Sequence, residues 1–256
     1  MHRFFIPPER SQFPSFALSD ADSRHASQVL RLQPGAPVTL LDGVGGVIDA
    51  HIQSVTRRET WVTVSSRKYI TRSRIRSVLV LSLLKNKALD FTLEKAVELG
   101  VDTLILVDAA RSVSRIDAVD IPRKQENWKQ SLIEAAKQCG NPWLPDLLGP
   151  LPLDAAIQAA LALENPRFLT ASLLPSASTL SKVLEPIFQT VTTPLTLIVA
   201  IGPEGDFTPH EDSLFAAAGA LPISLGPLVL RAETAAMTTL AILKDQARRC
   251  PDSFLT

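Results

Sequence analysis

Leu195-Thr196-Leu197-Ile198-Val199-Ala200-Ile201 runs straight into Gly202-Pro203-Glu204-Gly205, and further on Leu221-Pro222-Ile223-Ser224-Leu225 runs into Gly226-Pro227. Leu228-Val229-Leu230-Arg231-Ala232-Glu233-Thr234 follows. Each apolar run has the length of a buried strand, and each empties into a turn of glycine and proline that opens a helix. In an open α/β sheet, ligands bind outside the carboxyl ends of the strands. Two such loops close in sequence are therefore expected to wall one pocket.

The same alternation extends backwards. Ser77 to Leu84 reads as a buried strand, Ala88 to Leu99 as a helix stopped by Gly100, and Val101 to Val107 as the next strand. This unit predicts a parallel pair with a right-handed crossover. Arg123 to Cys139 and Asp154 to Leu163 read as helices, Arg167 to Leu174 as a strand, and Thr179 to Gln189 as a helix. Pro209 to Ala218 follows as a helix closed by Gly219, with Thr208 and Glu211 spaced as a capping box. The last helix runs from Ala232 to Arg249. Repeated βα units predict a mostly parallel sheet with helices on both faces.

The first seventy residues have another texture. Val38 to Leu41, Val47 to Ile52 and Thr60 to Val64 read as short strands separated by Gly-rich turns, which suggests a small barrel or sandwich. One helix, Asp20 to Leu32, is capped by Ser19 or Asp20 and stopped at Pro34-Gly35. The basic, serine-containing segment Ser65 to Ser77 marks the boundary. The domains are expected at 1–70 and 71–256.

Composition narrows the classes. The 256 residues carry 26 basic and 26 acidic side chains, so overall charge points to no particular partner. Locally, Arg57, Arg58, Arg67, Lys68, Arg72, Arg74 and Arg76 face one acid, Glu59. That excess reads equally as a phosphate footprint or as a solvated edge strand with its linker. Cys139 and Cys250 make no disulfide framework, and no Cys/His spacing suggests a metal. The start, Met1 to Pro7, lacks a signal-peptide core, and no apolar run has membrane-spanning length, so a cytoplasmic protein without a membrane partner is expected.

The loops exclude further chemistries. Gly202 to Gly205 is neither a dinucleotide fingerprint nor a phosphate loop, and GxSxG is absent. Apolar residues at Leu225 and Leu228 to Leu230 suit a flat apolar ligand such as adenine, or else fill core beneath the loop. Arg231 and Glu233 either serve a substrate or pair with each other. Without metal, phosphate cradle or nucleophile, the reading favours an activated cosubstrate and catalysis by positioning.

Arg3 to Pro7, His25 with Val29-Leu30-Arg31, Glu94 to Val101, Arg111-Ser112-Val113, Glu134 to Gly140, the GPEG loop and LGP-x-VLR-x-ET occur in this order along the chain. In these motifs the chain resembles the bacterial ribosomal RNA small subunit methyltransferase E family of the SPOUT superfamily. The resemblance implies a small PUA-like β-barrel and a C-terminal α/β domain with a mostly parallel sheet and a deep trefoil knot. It implies a homodimer that transfers the methyl group of S-adenosylmethionine to N3 of a uridine in 16S rRNA, in the small ribosomal subunit or a late assembly intermediate. The cofactor would lie against Leu173, Leu174, Gly202, Pro203, Glu204, Gly205, Leu225, Gly226 and Leu230. Arg231 and Glu233 are the catalytic candidates. Arg3, Arg31, Arg67, Lys68, Arg72, Arg74 and Arg115 are the RNA-contact candidates.

Departures from the family pattern fall in the same loops. Asp206 stands where the family usually has glycine, Leu228 where it has arginine, Ala232 where it has threonine, and Pro142 near a frequent arginine. Two alternatives remain: a SPOUT enzyme acting on another RNA or base atom, and a non-catalytic RNA-binding assembly protein of the same fold.

Overall fold

The structure, a computed structural model, describes residues 2–56, 58–190 and 194–249; Arg57 and Cys250 lie outside the described residues. The chain forms two compact units: Met1–Arg72 with Ile133–Leu144, and Ser73–Leu132 with Pro145–Thr256.

In the first unit, β1 (His2–Phe5), β2 (Ser15–Ala17), β3 (Pro37–Leu41), β4 (Gly46–Val55) and β5 (Thr60–Tyr69) form one sheet in the order β1-β3-β4-β5-β2. β1 pairs with β3 in parallel, and the other ladders are antiparallel. Phe4, Val38, Leu40, Ile48, Ile52 and Val62 are buried in its core. Along β1, β4 and β5 they alternate with more exposed residues, as a sheet with one buried face requires, whereas β3 is buried from Val38 to Leu41. The helix expected at Asp20 to Leu32 is α1 (Asp20–Arg24) followed by a π-helical turn to Val29, and Ser19 caps it by accepting from the Asp22 N–H.

Two expectations need correction here. β4 and β5 are ten residues each rather than short, and β5 runs on to Tyr69 through the first part of the expected boundary segment. Polar Ser65 to Lys68 give no sign of that extension, because the ladder to β4 continues where no side chain of β5 is buried. Ile133–Leu144, sequence-distant from the rest, groups with this unit.

The second unit contains β6 (Ile75–Ser82), α2 (Asn86–Glu98), β7 (Thr103–Val107), α3 (Ile121–Cys139, whose end belongs to the first unit), β8 (Asp146–Leu151) and α4 (Leu153–Leu161). β9 (Pro166–Ala171), β10 (Ser178–Thr179), α5 (Leu180–Thr190), β11 (Leu195–Ile201), α6 (Pro209–Ala217), β12 (Leu221–Ser224) and α7 (Ala232–Arg249) complete it. Its seven strands lie in the order β10-β12-β9-β11-β6-β7-β8, and every ladder is parallel.

A parallel sheet covered on both faces demands continuous apolar strands. β7 and β11 meet that demand, with every residue buried. Val78, Val80, Ile198 and Ala200 face a core with Ala156, Ile157 and Ala160 of α4 and Phe215 of α6. The alternate set, Leu79, Leu81, Leu197 and Val199, is equally buried, and α7 packs against both strands. Burying each Leu or Val stabilises by about 1.5–3 kcal/mol relative to exposure. Gly100 ends α2 at φ +72°, the left-handed position its sequence place predicted.

Candidate active site

β9, β11 and β12 end side by side, and three loops leave their carboxyl ends. The first leaves β9 at Ala171, short of the expected Leu174. The last bond to β12 is from the Ser172 N–H to the Ile223 carbonyl at 2.9 Å; beyond it the chain turns, with the Ser172 hydroxyl accepting from the Leu174 N–H. Leu173 and Leu174 are thus loop residues, more than half exposed.

The second loop, Gly202 to Thr208, turns through a bond from the Asp206 N–H to the Pro203 carbonyl at 2.9 Å. Asp206 sits at φ +59°. This left-handed backbone is costly for most residues, but Asp tolerates it because its short side chain bonds locally. Here Oδ1 accepts from the Phe207 N–H at 2.8 Å.

The third loop, Leu225 to Arg231, turns at Gly226, whose φ of +126° a side chain would strain. Leu228 and Val229 are about three-quarters exposed. Among the described residues, the N–H groups of Leu228, Val229 and Leu230 make no hydrogen bond, so their donors are available to a ligand.

These loops enclose a cavity of about 410 Å³, within the range of about 300–1,000 Å³ usual for small-molecule sites. It brings together Leu173, Leu174, Gly202, Pro203 and Glu204 of the candidate set. Leu225, Gly226, Leu230 and Arg231 close the opposite wall. Gly205 and Glu233 are outside the lining, whereas Asp206, Leu228 and Val229 are in it.

Arg231 extends into solvent, 86% exposed, with Nη1 4.0 Å from the Glu233 carboxylate. The two are at the limit of ion pairing, so Arg231 stays available to another anion. Glu233 lies in the first turn of α7, where the helix dipole favours a carboxylate.

The Gly205 carbonyl has a partner that the sequence reading did not assign to the site. Arg111, in the loop after β7, donates through Nη1 to that carbonyl at 2.9 Å and to the Phe207 carbonyl at 3.3 Å. Beside it, the Ala110 N–H donates to Glu211 Oε1 at 2.8 Å. Glu211 Oε2 accepts from the Thr208 N–H and hydroxyl, while Thr208 Oγ1 accepts from the Glu211 N–H, completing the expected capping box.

Burial pulls the Glu211 carboxyl upward. The N–H groups of Thr208 and Ala110, the Thr208 hydroxyl and the Arg111 charge outweigh it and hold the group below its ordinary 4.5. Asp212 is raised, first by burial and then by the charges of Asp206 and Glu211. The loop is therefore braced from a second strand end, and its side of the site is acidic.

The RNA-contact candidates are scattered in role. Arg3 donates through Nη1 to the Gln138 carbonyl at 2.9 Å and the Lys137 carbonyl at 3.3 Å, which caps the end of α3. Arg67 is spent on the carbonyls of Ser11, Gln12 and Phe13. Arg72 lies 4.9 Å over the Trp143 ring. Lys68 and Arg31 are exposed, the latter at φ +50°. In the second unit Arg74 and Arg115 are exposed as well.

A parallel sheet with three loops around a cavity at its strand ends, accompanied by a small sheet unit, defines a SPOUT-type methyltransferase fold. The chain belongs to the RNA methyltransferase family: a family model described as RNA methyltransferase domain matches residues 71–244, and a second, RNA methyltransferase PUA domain, matches 18–65. Ribosomal RNA small subunit methyltransferase E of Synechocystis is 28% identical over 94% of this chain and 76% of its own length. That of Bacillus subtilis is 25% identical over 96% and 97%. A Legionella pneumophila structure described as a putative methyltransferase with bound SAM superposes with a TM-score of 0.83 at 28% identity, covering 95% of this chain and 96% of that one. Ribosomal RNA small subunit methyltransferase E from Neisseria gonorrhoeae, bound to S-adenosyl methionine, superposes at 0.82 and 26% identity, covering 96% and 97%.

Proposed function

We propose that this protein methylates N3 of a uridine in 16S rRNA with S-adenosylmethionine as donor. It works in the cytoplasm on the small subunit or a late assembly intermediate. The observation that carries the reading is the three-loop cavity with Arg231 at its wall. Its residues fit the cofactor: apolar Leu225 and Leu230 suit a purine face, and the unspent N–H groups of Leu228 to Leu230 suit its edge. The relatives' names and bound ligands point the same way.

When bound, the cofactor supplies an already electrophilic methyl group. The chain's own work is to position uridine and to stabilise the charge left when the imide proton departs. Arg231 donates to the developing oxyanion at a uracil carbonyl, and Glu233 orients Arg231 or relays the proton. The apolar rim of Leu173, Leu174, Leu228 and Val229 is the surface on which a second copy would close the site, giving the homodimer. The insertion of β11 between β9 and β6 is compatible with the knotted threading of the superfamily.

Among the described residues, no helix is long and apolar enough to cross a membrane. The test pairs calorimetry with single-turnover methylation. Arg231→Ala should bind S-adenosylmethionine as wild type does and lose at least ~100-fold in rate, as removal of one oxyanion donor does. A wild-type rate would remove Arg231 from the mechanism.

A further inference from the structure

We propose that Tyr69 is a stacking platform for an unpaired base of single-stranded RNA, an inference that rests on the RNA-methylating reading above. Ser65 to Thr71 are seven consecutive exposed residues at the end of β5. β4 pairs with one side of this stretch, from Asp49 opposite Ser66 to Gly46 opposite Tyr69. On the other side β2 pairs with Trp61 to Thr63, and residues 11–14 accept from the Val64 N–H and the Arg67 side chain, so among the described residues no strand covers the edge from Lys68 onward.

Tyr69, the chain's single tyrosine, is 66% exposed. It is also held in place. Its ring meets Trp143 edge to face at a centroid distance of 5.8 Å. Trp143 is fixed by donating through Nε1 to the Ile70 carbonyl at 3.0 Å, and by Arg72 over its ring. A rigid aromatic side chain loses little freedom when a base stacks on it.

Charge selects the partner. From Thr60 to Arg72 the chain has three cations, Arg67, Lys68 and Arg72, and no acid; the facing strand adds one carboxylate, Asp49, which accepts from the Ser66 hydroxyl, and the stretch remains net positive. An anionic polymer with accessible π faces matches that surface, and only unpaired bases present such faces. The family match to the PUA domain stops at residue 65, so the platform lies beyond it.

The experiment is anisotropy titration of a fluorescein-labelled single-stranded oligoribonucleotide, with its duplex as comparison and thermal unfolding as a check on folding. Tyr69→Phe should bind as wild type. Tyr69→Leu, which keeps apolar bulk against Trp143, should weaken single-strand binding about five-fold or more at unchanged salt dependence. Lys68→Ala should instead lower the salt slope by about one phosphate contact. Folded Tyr69→Leu that binds like wild type would overturn the platform while leaving the methyltransferase reading intact. So would Tyr69-dependent self-association with RNA binding unaffected, since the occupant would then be a second copy. Wild-type protein that binds neither oligoribonucleotide would overturn the platform, whereas wild-type protein that leaves 16S rRNA in small subunits unmethylated would overturn the reading it rests on.

Discussion

The Arg111 guanidinium donates to the carbonyl of Gly205 at 2.9 Å, across 94 residues of sequence. It ties the turn after β7 to the loop after β11, and so fixes one wall of the cavity from outside the cavity. A charge-assisted bond of this kind contributes about 1.5–3 kcal/mol, and exposure places Arg111 at the lower end. Arg111→Ala is expected to raise the S-adenosylmethionine Kd about ten-fold and to lower Tm by a few degrees. Arg111→Lys should recover part of the loss. Calorimetry on the three proteins checks this, and equal affinities would mean the brace does not shape the site.

Glu211 joins the same brace to the start of α6. Its folded pKa is depressed, so its contribution to stability is complete above the ordinary 4.5 and is lost as pH falls through the lowered value. Glu211→Gln should cost about 1–3 kcal/mol at neutral pH, because a buried charge-assisted cap is replaced by a neutral one. It should also flatten the acid limb of the stability profile. Urea unfolding from pH 3 to 7 measures both.

Asp206 occupies the left-handed region at φ +59° and bonds the Phe207 N–H. Asn keeps both properties, Gly keeps the backbone only, and Ala keeps neither. Stability should fall in the order Asp ≈ Asn > Gly > Ala. The alanine variant should lose about 1–2 kcal/mol to backbone strain and about 1 kcal/mol more to the missing bond. Denaturant midpoints test the ranking; an alanine variant as stable as the asparagine one would contradict it.

Arg3 caps α3 from β1. Arg3→Ala should therefore destabilise the protein by about 1 kcal/mol, a cap's usual contribution. If Arg3 served RNA alone, binding would weaken with unfolding unchanged. Melting curves beside RNA titrations separate the two.

These residues also show what the sequence discloses. The continuous apolar run of β11, the left-handed Gly100 and the Thr208–Glu211 cap are local patterns, and each is where its spacing predicts. Most of the cavity wall follows from them, since a parallel sheet delivers its loops to one end. β9 ends short of the expected Leu174: Leu173 and Leu174 continue its apolar texture, but the chain turns after Ser172, whose hydroxyl accepts from the Leu174 N–H. β8, with Gly149 and Pro150 inside it, carries no strand signature. The Arg111 brace and the structural duties of Arg3 and Arg67 were invisible for another reason: their partners are backbone carbonyls, which have no sequence identity.

Nucleoside mapping of 16S rRNA from a strain lacking this gene identifies the atom and the molecule that are methylated. N3-methyluridine should be lost, and be restored by the wild-type gene but not by Arg231→Ala; an unchanged level of N3-methyluridine in the deletion strain would rule out N3 of a 16S rRNA uridine as the target.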